Sequence, residues 1–352
     1  MNDRPLSALP SRTARVVAFV SVLVAGAAGG TIGYALVDVQ CAGECAVPSG
    51  IAMLVGSVSF AAGMSVVAVL GLRAMVNGAS VATSKASAAP RDLLTLACTL
   101  ARRAGDHARG GRAEGVHVVG TKLTDTDMVT KFDREAESMI IAGLRAARPD
   151  DSVIGEEGGG YTGTSGVEWH VDPIDGTTSF MYGLPTWCVS IGARDAQGPL
   201  VGAVFMPDLN EMFAAERGGG ATLNDRAIRC SGLTDVRKAL VATGFSYTPA
   251  HRTVQSRRVT EFIHEIRDVR RMGAAAVDIC FVACGRLDAY FEENLHTWDI
   301  LAAELIAREA GARSGDFAGG PLRPAEVLVS APGVFDALSG LLVAAMRKHP
   351  HA

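Results

Sequence analysis

Three stretches of this chain place carboxylates where they could act together. Gly155-Glu156-Glu157-Gly158 follows a short apolar run, Asp172-Pro173-Ile174-Asp175-Gly176-Thr177-Thr178 ends a second one, and Trp298-Asp299 opens a segment with helical periodicity. Carboxylates at strand ends and turns are hard oxygen ligands, which with carbonyls and water suit Mg2+. Pro173 fixes its own φ and stiffens the turn after Asp172, so that Asp172 and Asp175 can point at one spot with the Ile174 carbonyl between them. Gly176 permits close backbone approach. Thr177 and Thr178 stand where a helix would begin, so that unpaired N–H groups face an anion. Ligands for a divalent cation beside amides that favour phosphate describe a metal-assisted phosphoryl site. Taken singly, each piece is weak: an Asp beside a turn is more often a cap, and Glu156-Glu157 alone is a solvated acidic pair. It is the three together, in this order, that carry the argument.

These residues need a scaffold, and the periodicity supplies one. Helices are expected over Arg91–Arg109 and Thr126–Arg148, the latter closed by Pro149. Strands follow at Val153-Ile154, Val167–Val171, Trp187–Ala193, Leu200–Phe205 and Glu211–Ala215, with a hairpin turn at Gln197-Gly198. After these come helix His251–Asp268, helix Ala274–Gly285, strand Leu287–Glu292, helix Asp299–Ala310, strand Val327–Ser330 and helix Val334–His349. Helices, then mainly antiparallel strands, then alternation imply a layered α+β unit joined to an α/β unit.

The beginning of the chain has a different character. Two apolar runs, about 16–37 and 51–72, carry no charge and are each long enough to cross a bilayer as a helix. Arg4, Arg12 and Arg15 precede the first and Arg73, Lys85 and Arg91 follow the second, while the loop between them holds Asp38 and Glu44. The positive-inside bias then puts both termini in the cytoplasm and Cys41 and Cys45 outside, where a disulfide is allowed but not required. Residues 1–75 read as a membrane hairpin, 76–90 as a flexible linker, and 91–352 as the catalytic domain, which would sit on the cytoplasmic side of the plasma or inner membrane. At 48% hydrophobic the chain is not disordered, and its net charge of −4, with no basic stripe, argues against a nucleic-acid partner. Seven cysteines, an odd number, do not make a disulfide framework. His170 and His296 flank the motifs, but imidazole is a poor ligand for Mg2+.

The two motifs Asp172-Pro173-Ile174-Asp175-Gly176-Thr177-Thr178 and Trp298-Asp299-Ile300-Leu301-Ala302-Ala303-Glu304-Leu305-Ile306-Ala307-Arg308-Glu309-Ala310-Gly311 resemble those of the inositol monophosphatase family, Mg2+-dependent and lithium-sensitive phosphatases, most closely its bacterial members. The resemblance covers about Leu93 to Ser330. It implies a layered α-β-α-β-α sandwich of the inositol monophosphatase/fructose-1,6-bisphosphatase type, here preceded by the two transmembrane helices. It also implies two to three Mg2+ ions: Glu156, Asp172 and the Ile174 carbonyl at the first, Asp172, Asp175 and Asp299 at the second, Glu156 with water at a weaker third. Thr177 paired with Asp133 would orient and deprotonate the attacking water. Gly176, Thr177 and Thr178 would cradle the phosphate, Lys122 would approach from a flexible loop, and Glu292 would bind substrate hydroxyls. Ala275 belongs to the substrate-side stretch Arg271–Asp278, where members of the family vary. Ser179 stands where the family usually has Asn.

The expectation is a membrane-tethered phosphomonoesterase that acts on a small polyol monophosphate, inositol 1-phosphate first, by attack of metal-activated water. Histidinol phosphate or another sugar or nucleotide phosphate of the same family's range is the alternative. A membrane scaffold without turnover would lack a ligand, and every ligand position is filled. Expected partners are the phosphate ester and the membrane; a homodimer is left open.

Overall fold

The computed structural model describes residues 12–40, 51–62, 64–65, 90–113, 115, 118–121 and 128–350. They fall into two compact units, Met1–Ser87 and Ala88–Ala352.

The first unit contains α1 (Arg12–Gln40) and a helical stretch α2 (51–62). Glycines let the two approach: a Cβ at Gly29 would lie 2.7 Å from the Phe60 Cβ, and one at Gly26 would lie 3.5 Å from that of Ala61. Helices were expected here and are found, but the expected pair of membrane spans is not borne out. Among the described residues no helix is long and apolar enough to cross a membrane. Residues 66–72 of the second expected span, the linker up to residue 89, Cys41 and Cys45 lie outside the described residues.

The second unit opens with α3 (Pro90–Arg112), β1 (Val118–Thr121), β2 (Met128–Thr130), α4 (Lys131–Ala147), β3 (Ser152–Gly155), β4 (Gly160–Tyr161), β5 (Glu168–Asp175) and the short α5 (Thr177–Met181). A run of strands follows: β6 (Cys188–Asp195), β7 (Gly198–Met206), β8 (Glu211–Glu216), β9 (Gly220–Leu223), β10 (Arg226–Ala227) and β11 (Leu240–Thr243). It closes with α6 (Pro249–Phe262), β12 (Asp268–Arg270), α7 (Ala275–Ala283), β13 (Ala289–Glu293), α8 (Thr297–Glu309), β14 (Arg313–Gly315), β15 (Glu326–Ser330) and α9 (Pro332–Lys348).

Two sheets organise the unit, an eight-stranded one in the order β10-β9-β8-β7-β6-β5-β3-β4 and a five-stranded one in the order β12-β11-β13-β15-β14. Three cores hold the layers. Leu93, Leu100, Ile140 and Leu144 of α3 and α4 bury Trp169, Val171 and Phe205 on one face of the large sheet. Ile279, Val282, Leu305 and Ile306 of α7 and α8 join the other face to the small sheet through Val204, Phe213, Tyr290 and Val329. Phe262 of α6 and Phe335, Leu338 and Leu342 of α9 cover the far side of the small sheet at Val241 and Phe291. The result is the expected α-β-α-β-α sandwich. Apolar residues on both faces of the central strands are what two-sided cover requires.

Glycines set the distance between the large sheet and α8. Gly192 and Gly202 pair across β6 and β7, and a Cβ on Gly202 would come within 2.9 Å of the Ala302 Cα. Their lack of side chains lets α8 lie flat on the sheet, with Asp299 one turn earlier.

Two helices are shorter than their periodicity suggests. α4 starts at Lys131 rather than near 126, because Thr130 caps it: the Asp133 carboxylate accepts the Thr130 N–H (2.8 Å), and Met128–Thr130 is drawn into an antiparallel pair with β1. The helix expected over His251–Asp268 stops at Phe262, and Asp268–Arg270 becomes an edge strand parallel to β11, with Val269 opposite Val241. The hairpin at Gln197-Gly198 is present, with Gly198 at φ 108°.

The end of α4 is tied to the sheet by a buried carboxylate. Asp151 accepts hydrogen bonds from Arg148 Nε and Nη2 (both 2.9 Å), Ser165 Oγ (2.6 Å) and Trp169 Nε1 (2.9 Å). Burial alone would raise its pKa, but the bonds from Arg148, Ser165 and Trp169 together hold it below the ordinary Asp range. A depressed folded-state pKa contributes stability that is complete above the unfolded-state value and fades as pH falls through the folded-state one. Asp151→Asn should therefore cost about 3 kcal/mol at neutral pH, the size expected for breaking a buried pair, with the gap to wild type narrowing only as the pH falls below the ordinary Asp range. Denaturant unfolding at neutral pH and below that range checks this.

Candidate active site

β5 carries the first two carboxylates, and an irregularity aims them. Asp172 pairs with Ser190 and Asp175 with Cys188, so three steps on β5 match two on β6. In a regular strand residues three apart point to opposite faces. The extra residue makes a bulge that turns both acids toward one cavity, and Pro173, which has no N–H to give a ladder, fits inside it.

Each carboxylate is then fixed locally. Asp172 is almost fully buried and accepts the Ile174 N–H at 3.1 Å. Asp175 accepts the amides of Ala276 (2.7 Å) and Ala275 (3.3 Å) at the start of α7. Asp299, in the first turn of α8, accepts the His296 N–H at 2.6 Å. Glu156 follows β3 and hydrogen-bonds Asp172. The loop behind Glu156 is clamped by Glu137 of α4, which accepts the amides of Glu157 and Gly159, each at 2.8 Å.

The electrostatics show that these four belong together. Burial, then Glu156, Asp175 and Asp299, push the Asp172 carboxyl well above its ordinary range. Burial and Asp299 do the same to Asp175, against the pull of the Ala276 amide. Like charges held together out of water destabilise one another unless a cation offsets them. Among the described residues no three His, Cys, Asp or Glu side chains form a closed ligand set by themselves. The donors available are the four carboxylates and the Ile174 carbonyl, all hard oxygen, which fits Mg2+ completed by water.

Thr177 is next to these donors. Its hydroxyl lies 3.3 Å from Asp133 Oδ1 and 3.1 Å from the Ile174 carbonyl. Asp133 is buried, and its other oxygen is taken up by the Thr130 cap, which leaves Oδ1 facing Thr177. Gly176 has φ 90°, and a Cβ there would meet Ala274 Cβ and the Thr186 carbonyl at 3.0 Å, so the turn into α5 needs glycine.

A cavity of about 640 Å³ opens from this cluster, lined by Glu156, Asp172, Asp175 and Thr177 at one end and by Arg271, Asp278 and Glu292 elsewhere. Burial brings the Glu292 carboxyl up to about 7; the Tyr290 hydroxyl, which donates to it, and Arg271 pull it down.

Most expected residues therefore meet. The exceptions are specific. Lys122 lies outside the described residues. Thr178 is in α5 but is not among the cavity-lining residues. Ala275 lines the cavity, though its amide is directed to Asp175. Ser179, the departure from the family motif, stands 3.3 Å from the Thr186 hydroxyl and 3.4 Å from the Met272 carbonyl. His170 is a buried structural histidine between Thr297 (2.8 Å) and Glu168 (2.9 Å).

Two acids escaped the sequence argument. Glu137 is four residues after Asp133 on the buried face of α4, and two acids on an otherwise apolar helix face were a legible signal. Asp278 on α7 is buried with one oxygen lacking a hydrogen-bond partner; burial, then Glu292 and Asp175, raise its pKa well above the ordinary range.

Comparison with known proteins agrees with this geometry. The model of the inositol monophosphatase family matches residues 89–351. The chain belongs to the inositol monophosphatase family. It is 40% identical over 274 residues to an inositol-1-monophosphatase of Mycobacterium bovis, covering 72% of this chain and 94% of that protein. It is 38% identical over 244 residues to a Vibrio cholerae protein named Nus factor SuhB, covering 68% of this chain and 91% of that one. Among solved structures, Mycobacterium tuberculosis SuhB superposes with a TM-score of 0.62 at 38% identity, over 74% of this chain and 98% of that chain. The Thermotoga maritima IMPase gives 0.67 at 30% identity, over 73% and 99%. As a member of this Mg2+-dependent family, the chain is a phosphoric monoester hydrolase.

Proposed function

We propose that this inositol monophosphatase family member hydrolyses a small polyol monophosphate, inositol 1-phosphate first, with Mg2+ and water. The reading rests on one observation: four mutually repelling carboxylates converge beside the Thr177–Asp133 pair, and Glu292 faces the same cavity. Glu156, Asp172 and the Ile174 carbonyl would hold one ion, Asp172, Asp175 and Asp299 a second, and Glu156 with water a third. Mg2+ supplies Lewis acidity there, lowering the pKa of water and offsetting charge on the phosphoryl and leaving oxygens. The chain's own groups do the rest. Thr177 Oγ1 takes a proton from the attacking water as it passes its own to Asp133 Oδ1. The amides of Gly176 and Thr177, which line the cavity at the turn into α5, bind phosphate oxygens. Glu292 accepts from vicinal hydroxyls of the polyol, with the Tyr290 hydroxyl orienting it.

A site that hydrogen-bonds substrate hydroxyls can reject analogues without them by about 10⁴-fold. Inositol 1-phosphate should thus exceed a simple alkyl phosphate in kcat/KM by orders of magnitude. Glu292→Gln should shrink that ratio while hydrolysis of an aryl phosphate stays near wild type. If histidinol phosphate is the best substrate, the polyol assignment fails and the phosphatase remains. Some relatives are named Nus factor, and a role without turnover is the other reading; the filled ligand positions favour catalysis.

The tether is part of the same proposal. Its support is the surface of the first unit: Phe19, Leu23, Val24, Leu54 and Val58 are each more than half exposed around the seam of small residues. Apolar side chains turned outward from a Gly-rich contact suit a lipid environment, with the phosphatase on the cytoplasmic side. Removing residues 1–75 should move the protein from the membrane fraction to the supernatant and leave phosphatase activity within about twofold, since no carboxylate of the site lies there. A full-length protein found in the supernatant would reject the tether.

A further inference from the structure

Strand β13 has two working faces. Tyr290 and Glu292 point to one side, Phe291 and Glu293 to the other. On the first side the Glu292 carboxylate lies over Gly244, just beyond β11, where any Cβ would collide with it. On the second side Arg258 of α6 reaches in. Its Nη1 donates to Glu293 Oε1 at 2.5 Å and its Nε to the His349 carbonyl, just beyond α9, at 2.7 Å. Both side chains are about 95% buried. Arg258 Nη2 is buried too and has no hydrogen-bond partner, beside a cavity of about 20 Å³ bordered by Gly244, Gln255 and Glu292. One turn earlier on α6, Gln255 accepts the Ser246 N–H at 2.8 Å and so holds the loop that lines the active-site cavity.

As a source of stability this arrangement is poor. Desolvating a guanidinium and a carboxylate consumes most of their attraction, and the orphaned Nη2 adds a further cost. Its position gives it another use. Glu293 is the residue after Glu292, so whatever fixes Glu293 fixes the backbone that carries the Glu292 carboxylate over Gly244.

We propose that Arg258 is a positioning residue for substrate selection, acting through Glu293 to hold Glu292 and tying that strand end to the C-terminal end of α9. The inference rests on the reading of Glu292 as the group that binds polyol hydroxyls. Phosphate transfer itself takes place at the other carboxylates, so the selectivity should move and the basal chemistry should not.

The test uses the full-length chain with Mg2+ and compares kcat/KM for inositol 1-phosphate with that for para-nitrophenyl phosphate. Arg258→Met should lower the ratio by about 10- to 100-fold, the cost of misplacing a binding group by an ångström or so, through the inositol phosphate value. Arg258→Lys, which keeps the charge, should recover part of it. Arg258→Met combined with Glu293→Leu removes both buried charges, so it protects the fold but should still show the lowered ratio. A wild-type ratio in that folded double variant overturns the proposal. Glu292→Gln separates the two levels. If it lowers the ratio and the Arg258 variants do not, only the positioning role falls. If it leaves the ratio unchanged, the polyol reading fails and this inference fails with it.

Discussion

Asp172→Asn should abolish turnover, by at least about 10³-fold, while leaving the metal-free protein as stable as wild type or more so. Loss of function follows from its place at the centre of the carboxylate cluster, between Glu156 and Asp175 and shared by both proposed ions. The stability half follows from electrostatics. Asp172 is buried against three other acids, and its carboxyl is pushed far up by that burial and repulsion. A folded-state pKa raised above the unfolded one costs stability at neutral pH, so a neutral amide of the same shape relieves repulsion. Wild type should melt higher when Mg2+ is added and should lose turnover in EDTA; the variant should show neither the thermal shift nor the activity. Phosphate release and thermal melts with and without Mg2+ read both. Wild-type turnover in EDTA, or in Asp172→Asn, would remove the mechanism.

The chemistry was legible in the sequence because its parts are local. Asp172, Asp175 and Thr177 lie within six residues, Glu156 and Asp299 announce themselves by the turns beside them, and the alternation of helices and strands implied the layers. What brings the parts together was not legible. The convergence of Asp172 and Asp175 was expected from a turn stiffened by Pro173, but its cause is a bulge within β5 that exists only against β6. The Asp175–Ala276 and Arg258–Glu293 contacts join residues 101 and 35 positions apart, beyond any periodic signal. Short strands such as β4, β10 and β12 have two or three residues and no pattern of their own; they form because a neighbouring strand offers an unpaired edge. The N-terminal runs illustrate the opposite limit. Apolar length alone suggested spans, whereas the described helices show apolar faces around a glycine seam without a helix that meets the length and apolarity of a span.

Thr177→Ala should reduce kcat by about 10²- to 10⁴-fold, the usual worth of a positioned proton-transfer group, with KM and the Mg2+-induced melting shift nearly unchanged. The hydroxyl is not among the carboxylate donors, so metal and phosphate binding do not depend on it. Asp133→Asn should match that loss of kcat, because Asp133 reaches the reaction only through Thr177, its Oδ1 lying 3.3 Å from the hydroxyl. It should also lower stability by about 1 kcal/mol, since the same side chain accepts the Thr130 amide at the start of α4. The decisive variant is the double one. If Thr177 and Asp133 form a single relay, removing the second member after the first costs no further kcat, as for groups that act as a unit. Losses that multiply instead would mean that each acts on the water by itself. The relay would then be replaced by two independent contacts, with the Ile174 carbonyl, 3.1 Å from the Thr177 hydroxyl, as the hydroxyl's resting partner.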